Sequence, residues 1–314
     1  LTATLSVVAN VDVVVTLGAS GSATEGTHYA SLSNITISAG NTTGTAVFNP
    51  TNDNVSGGNK SAVISISSLS GASASNGSPS SVTISIVDDE STPTVTLGTS
   101  ASSVAENGSN LTLTATLSVV SSDNVIVTLT GSGTSTAGTD YASLSTITIS
   151  AGSTTGTTTF NPTDDSVYEG SETAIIAITN ITGGSAVEDG TQSKTITITD
   201  NETAPTVTLG TSASSVAENG SDLTLTATLS GATSEDVTVT LTGSGTSTAG
   251  TDYASLSKIT INAGSTTGTT TFNPTDDSVY EGSETAIIDI FGVSGGSATE
   301  SGTQSKTITI TDNE

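Results

Sequence analysis

Residues 94–202 return as residues 206–314 at a constant offset of 112, with no insertion, and the two stretches differ at 16 of 109 aligned positions. A stretch of this length that repeats without interruption is a domain-sized module. A looser copy precedes them. It runs from Leu1 to Glu90, and its Tyr29 lies 112 residues before Tyr141. The chain therefore divides into repeat one (1–92), repeat two (93–204) and repeat three (205–314). Leu1 corresponds to Leu113, so repeat one has no counterpart of residues 94–112. It is expected to lack its first strand and to present an open sheet edge. Two explanations fit: the chain is an excerpt of a longer tandem array, or its first domain borrows a strand from a neighbour.

Alternation of apolar and polar residues gives the strands of repeat two. Leu111, Leu113, Ala115 and Leu117 share one face, with Thr on the other. The same pattern recurs at Val125, Val127 and Leu129, at Ile147 and Ile149, and at Thr158 and Phe160. It recurs again at Ala174, Ile176 and Ile178, and at Ile196 and Ile198. With an opening strand over 94–105 this makes about seven short strands. No segment sustains a 3.6-residue period. The fold class is all-β: three tandem Ig-like antiparallel β-sandwiches of about seven strands, the first lacking its N-terminal strand. Each core is small and aliphatic, so such a domain is expected to need added stabilisation. Glu106-Asn107-Gly108 reads as a tight hairpin turn, with Asn-Gly tolerating a positive φ. Gly131-Ser132-Gly133 and Gly138 read as a flexible loop, with no Lys or helix following as a phosphate site would need.

Strand parity locates the acidic residues. If the first strand runs upward and ends near Glu106, the third ends before Asp140. The fifth then ends before Asp164, Asp165 and Glu169, the sixth leaves from Glu172, and the seventh ends at Asp200-Asn201-Glu202. All of these lie at one tip of the sandwich, and the next repeat begins directly above it at Pro205. The chain carries 30 Asp+Glu against 4 Lys+Arg, a net charge of −26. Eight crowded carboxylates with almost no cation to balance them call for a counter-charge from outside the chain. Oxygen ligands in excess, with no Cys and a single His, select Ca²⁺ over zinc, copper, iron or Mg²⁺. The same composition excludes disulfide scaffolds, thiol enzymes and iron–sulfur sites, and it leaves nothing to neutralise a nucleic-acid backbone. No apolar run is long enough for a membrane span, and no basic-then-apolar leader is visible at Leu1.

Ala137-Gly138-Thr139-Asp140-Tyr141, Asp164-Asp165-Ser166-Val167-Tyr168-Glu169-Gly170-Ser171-Glu172 and Thr197-Ile198-Thr199-Asp200-Asn201-Glu202 together resemble the Calx-β domain. That domain is the calcium-binding module of sodium–calcium exchanger regulatory loops, integrin β4 and many large bacterial surface proteins. The resemblance covers repeats two and three and most of repeat one. It implies Ca²⁺ ligands at Glu106, Asp140, Asp164, Asp165, Glu169, Glu172, Asp200 and Glu202. In repeat three it implies Glu218, Asp252, Asp276, Asp277, Glu281, Glu284, Asp312 and Glu314. Family members often end in three aspartates, where this chain reads Asp-Asn-Glu. Repeat one departs further. His28, Asn52, Gly57 and Lys60 stand at the positions of Asp140, Asp164, Glu169 and Glu172, and only Asp53, Asp88, Asp89 and Glu90 survive. Two readings fit this tip: it has lost most of its calcium with Lys60 partly taking over as a built-in cation, or it has drifted into a solvated loop.

The expected function is a non-enzymatic, calcium-stiffened extracellular or cell-surface repeat array acting as an adhesin or stalk. Loops 231–236 and 294–304 are expected beside the junction with the preceding tip. The alternative is a structural subunit of an extracellular filament, sheath or surface layer, whose partners are other copies. In either case neighbouring repeats are expected as partners, with no nucleic acid and no membrane insertion in this segment. Paired carboxylates can hydrolyse glycosides, but these crowd at a tip and lack aromatic platforms for a sugar. Asn-x-Ser/Thr sequons such as Asn107, Asn180 and Asn219 fit chance in a chain this rich in Ser, Thr and Asn.

Overall fold

The computed structural model describes residues 1–314. Its regular elements are all β-strands. In repeat two they form a two-layer sandwich. One sheet has the order Thr155–Phe160, Leu111–Leu117, Thr94–Thr99, Val187–Glu188. The other has the order Ile147–Ile149, Val125–Gly133, Glu172–Thr182, Ser193–Thr199, Ser103–Ala105. Repeat three has the same two sheets in the same order. The alternation is the physical cause: along Leu111–Leu117 every second side chain is buried, which fixes the register of that strand because a one-residue slip would invert its faces. Seventeen buried residues make one core in repeat two and 18 in repeat three.

The opening strand is not the single element expected over 94–105. Thr94–Thr99 lies in the first sheet, antiparallel to Leu111–Leu117. Ser103–Ala105 lies in the second, parallel to Ser193–Thr199. Ser100 lets the chain switch layers: its N–H donates to Thr112 O and its Oγ accepts the Thr112 N–H, both at 2.9 Å. The turn at Glu106-Asn107-Gly108 therefore links strands of different sheets and is not a hairpin. It closes through Gly108 N–H to Ala105 O at 2.8 Å, and neither Asn107 nor Gly108 takes a positive φ. Gly131–Gly133 is likewise not a loop but the end of the strand Val125–Gly133, paired with Ala174–Ile176. At Gly133, φ is +117° and a Cβ would stand 2.1 Å from Thr173 O. Only glycine lets the chain leave the sheet there towards the loop that carries Asp140.

Repeat one, over residues 1–90, has a facing sheet in the same strand order but a smaller first one. Thr2–Thr4 pairs only with Thr43–Thr45, while Ile35–Ile37, Val13–Gly21, Lys60–Ser70 and Ser81–Ile86 form the facing sheet. Its core breaks into two clusters of four buried residues each. An apolar groove opens between Leu1, Val15, Ile64, Ile66 and Val82, on the side where Val95 and Leu97 fill the core of repeat two.

Short parallel pairings join the repeats. Val55–Ser56 pairs with Val120–Ser121, and Val167–Tyr168 pairs with Ala232–Thr233. Ser122 N–H donates to Ser56 O at 3.0 Å and Ser234 N–H to Tyr168 O at 3.1 Å. The 231–236 turn therefore contacts the preceding tip, as expected. Gly296 N–H donates to Glu235 Oε2 at 3.0 Å, which holds the 294–304 loop against that turn.

Candidate metal centre

Register carries the acidic residues to one end of repeat two. Ala105 pairs with Thr199 in parallel, so Glu106 and Asp200, the next residues, leave the sheet side by side. Glu106 N–H donates to Thr199 O at 3.1 Å. Glu172 opens its strand opposite Ile198. Asp140 closes a tight turn: its N–H donates to Thr136 O at 2.9 Å and its Oδ2 accepts the Thr136 N–H at 2.5 Å. The adjacent Tyr141 pins that turn to the sandwich, with its ring buried and stacked on Phe160 at 4.9 Å. Thr163 N–H to Asp140 O, 3.0 Å, brings the Asp164–Glu172 loop alongside.

Within this tip two triads stand out. Ligand-type oxygens of Glu106, Asp200 and Glu202 lie within 4.8 Å of one another, and so do those of Asp140, Glu169 and Glu172. Repeat three repeats both, as Glu218, Asp312 and Glu314 and as Asp252, Glu281 and Glu284. Asp164 and Asp165, with Asp276 and Asp277, fall outside these triads. They remain close enough to act on them: Asp165 acts on Glu106 and Glu169, and Asp164 on Glu202. The structure thus gathers all eight positions at one end and divides six of them into two clusters. Sequence parity could not give that division, because it depends on the sheet switch before Ser103.

Asp200 organises the loop. Its Oδ2 accepts the N–H groups of Glu169 and Gly170, both at 2.6 Å, and its Oδ1 accepts Glu202 N–H at 2.7 Å. Asp312 does the same for Glu281, Gly282 and Glu314. The glutamates crowd against these aspartates. Burial, then the charges of Asp200 and Glu202, push Glu106 up to about 7. Burial, then its contact with Asp140, push Glu172 up to about 7. Burial first and neighbouring carboxylates second also raise Glu169, Glu202, Glu218, Glu281 and Glu284. The lysines are no help in these two repeats. Lys194 opens the strand whose far end carries Asp200, roughly 20 Å away at strand rise.

The donor set fits a hard divalent cation. Carboxylates of both triads point at one another with no cationic side chain between them, and Glu202 Oε2 is buried without a hydrogen-bond partner. An orphaned buried oxygen of this kind is costly unless something positive completes it. Two oxygen-only clusters per tip suit Ca²⁺, which accepts six to eight oxygens in flexible geometry.

Repeat one keeps the loop, but no group of three ligand-type acidic residues gathers at its tip. His28 occupies the Asp140 position, where its Nδ1 accepts Thr24 N–H at 2.8 Å and so replaces the Asp carboxylate in the turn. Asp88 Oδ2 accepts the N–H groups of Gly57 and Gly58, as Asp200 does in repeat two. Lys60 donates to Gly57 O at 2.7 Å and lines one cavity with His28, Asp53, Asp88 and Ser122 of repeat two. All three carboxylates of the Asp140 triad are thus replaced together, by His28, Gly57 and Lys60. The structural role of His28 had no sequence signal beyond its position.

A pH dependence follows. The raised glutamates stabilise the metal-free fold when protonated. Their contribution is full below about pH 4.5 and is lost as pH rises through about 7. Asp88 and Asp312, held down by backbone N–H groups against their own burial, lose their contribution only below the ordinary Asp range. Metal-stripped protein is therefore expected to melt at a higher temperature at pH 5.5 than at pH 8, and saturating calcium is expected to remove that difference. Thermal melts followed by circular dichroism at both pH values check this. A metal-free melt that is higher at pH 8 contradicts the electrostatic account.

Fold and site together define a class: tandem β-sandwich repeats with clustered acidic side chains, candidate cation ligands, at one tip. A family model of the Calx-beta domain matches residues 4–90 and 88–202, and the chain belongs to the Calx-beta family. A model described as the LapA domain matches residues 202–313. Among solved structures, CBD12 from CALX1.2 is similar at 15% identity, covering 68% of this chain and 99% of that one, with a TM-score of 0.31. The apo-form Calx CBD1 domain is similar at 21% identity over 34% of this chain and 98% of its own, with a TM-score of 0.30. No curated protein matches the sequence significantly.

Proposed function

We propose that this chain is a non-enzymatic, calcium-stiffened repeat array that serves as a stalk or adhesin shaft on the outside of a cell. One observation carries the reading. The Asp164–Glu172 loop holds four of the candidate ligands, and its Val167–Tyr168 segment is the edge that pairs with the following repeat. Calcium held by Asp140, Glu169 and Glu172 would fix the flanks of that edge and so the angle between repeats. The Glu106, Asp200 and Glu202 triad would hold the other side, because Asp200 binds the Glu169 N–H directly. The ion would supply the positive charge that the chain lacks; the residues supply its geometry. The family match to Calx-beta and the LapA-domain match over repeat three support a surface setting.

Small-angle X-ray scattering of the whole chain in millimolar calcium, and again after chelation, tests this. The expected result is a rigid particle with calcium and a flexible one without, the change coming from the junction between repeats two and three. Coincident profiles would remove calcium as the stiffening agent.

A further inference from the structure

Two buried hydroxyls have no partner in the fold. Ser135 Oγ in repeat two and Ser247 Oγ in repeat three make no hydrogen bond, and the two residues are only 5% and 6% exposed. Such a group opposes folding, because burial strips its water and returns nothing. Repeats two and three keep it nevertheless. In repeat one the position 112 residues before Ser135 is Ala23, which packs in the core with Tyr29, Ala62 and Ile64. The fold therefore accommodates alanine here. What separates the repeats is the neighbouring triad. Serine accompanies Asp140, Glu169 and Glu172, and again Asp252, Glu281 and Glu284. Alanine accompanies His28, Gly57 and Lys60, which replace them.

The backbone sets this hydroxyl beside that triad. Ser135 N–H donates to Thr173 O and Ser247 N–H to Thr285 O, both at 3.1 Å, so each serine lies against the residue that follows Glu172 or Glu284. The residue after each serine holds the aspartate: Thr136 N–H donates to Asp140 Oδ2 at 2.5 Å and Thr248 N–H to Asp252 Oδ2 at 2.6 Å. The core neighbours of Ala23 correspond to Tyr141, Ala174 and Ile176 in repeat two. Glu172, Ala174 and Ile176 share one face of their strand, so the side chain that follows Ala174 towards the tip is Glu172. In this structure Glu172 contacts Asp140, as Glu284 contacts Asp252.

We propose that the Ser135 and Ser247 hydroxyls belong to the two Asp140-type calcium sites, each donating a hydrogen bond to the Glu172 or Glu284 carboxylate when that carboxylate holds the ion. The inference rests on the calcium reading of these triads and adds to it an uncharged positioning residue. A carboxylate that holds a cation through one oxygen keeps lone pairs that need donors, and the unpartnered hydroxyl beside Thr173 is the donor at hand. A hydrogen bond to an ionised acceptor is about twice as strong as one between neutral groups. The same hydroxyl therefore opposes the metal-free fold and favours the calcium-bound one, which makes it a device for coupling stability to the ion.

A full-length double variant, Ser135→Ala with Ser247→Ala, tests this by calcium titration calorimetry and by thermal melts in chelator. Ala23 shows that the position takes a methyl group, so the variant is expected to fold. Its melting temperature in chelator is expected to rise by about 4 °C or more, because an unpartnered hydroxyl is gone from each repeat. Its Asp140-type sites are expected to bind calcium about tenfold more weakly, while the Glu106-type sites keep their affinity. The opposite signs are the signature: a serine that only fills space would shift stability alike with and without calcium. A double variant that binds calcium as wild type does, or that is less stable than wild type in chelator, overturns the proposal and leaves the triads as ion sites. A wild type that takes up no calcium at millimolar concentration overturns the calcium reading itself, and the proposal with it.

Discussion

Stripping calcium is expected to lower the melting temperature of repeats two and three by about 10–20 °C and to leave repeat one unchanged. Each of the two repeats carries two oxygen triads. Extracellular sites of this chemistry work with dissociation constants of about 0.1–1 mM. At ten to a hundred times that concentration, each independent site adds roughly 1.4–2.7 kcal/mol. Two sites then add about 3–5 kcal/mol per repeat, and a domain of this size shifts by at least about 4 °C per kcal/mol. Repeat one lacks the Asp140-type triad, and its core is two clusters of four residues, where repeats two and three have single clusters of 17 and 18. It is expected to melt first and at the same temperature in either condition. Differential scanning calorimetry of the whole chain resolves this as one fixed low transition and one that moves with calcium. A single transition that ignores calcium would falsify the assignment of the triads as ion sites.

Much of this was legible in the sequence. The 112-residue offset and the alternation at Leu111–Leu117, Val125–Leu129 and Ala174–Ile178 fixed the fold class, because a half-buried strand must alternate. Parity alone placed Glu106, Asp140 and Glu172 at one end. The sheet switch was missed although it left a trace: Val95 and Leu97 share one parity and Val104 takes the other, which a single strand packed on one core does not allow. The division into two triads follows from that switch and was hidden with it. The turn at Asn107-Gly108 misled because Asn-Gly accommodates a positive φ without requiring one. The two-residue pairings between repeats are too short for any period to reveal. They are visible only in the structure, as Val167 and Tyr168 set against Ala232 and Thr233.

Asp200→Ala is expected to be the most damaging single change at the tip of repeat two, for two separable reasons. One is structural. The carboxylate accepts three backbone N–H groups, from Glu169, Gly170 and Glu202, and hydrogen bonds to a charged group contribute about 1.5–3 kcal/mol. The other is ionic: Asp200 belongs to the triad with Glu106 and Glu202. Repeat one separates the two. There Asp88 holds the N–H groups of Gly57 and Gly58 beside Lys60, without the Asp140-type carboxylates. Asp88→Ala should therefore lower the melting temperature of its own repeat equally with and without calcium. Asp200→Ala should do so mainly in calcium. In metal-free protein near pH 8 its structural loss is partly offset, because removing the charge relieves the repulsion that Asp200 exerts on Glu106. Asp200→Asn, which retains an acceptor oxygen and discards the charge, should fall between wild type and Asp200→Ala in calcium and approach wild type without it. Calorimetry of the three variants in both conditions decides the matter. If Asp200→Ala loses the same stability with and without calcium, as Asp88→Ala does, Asp200 is only a holder of the loop, and the ion, if one binds, belongs to Asp140, Glu169 and Glu172 alone.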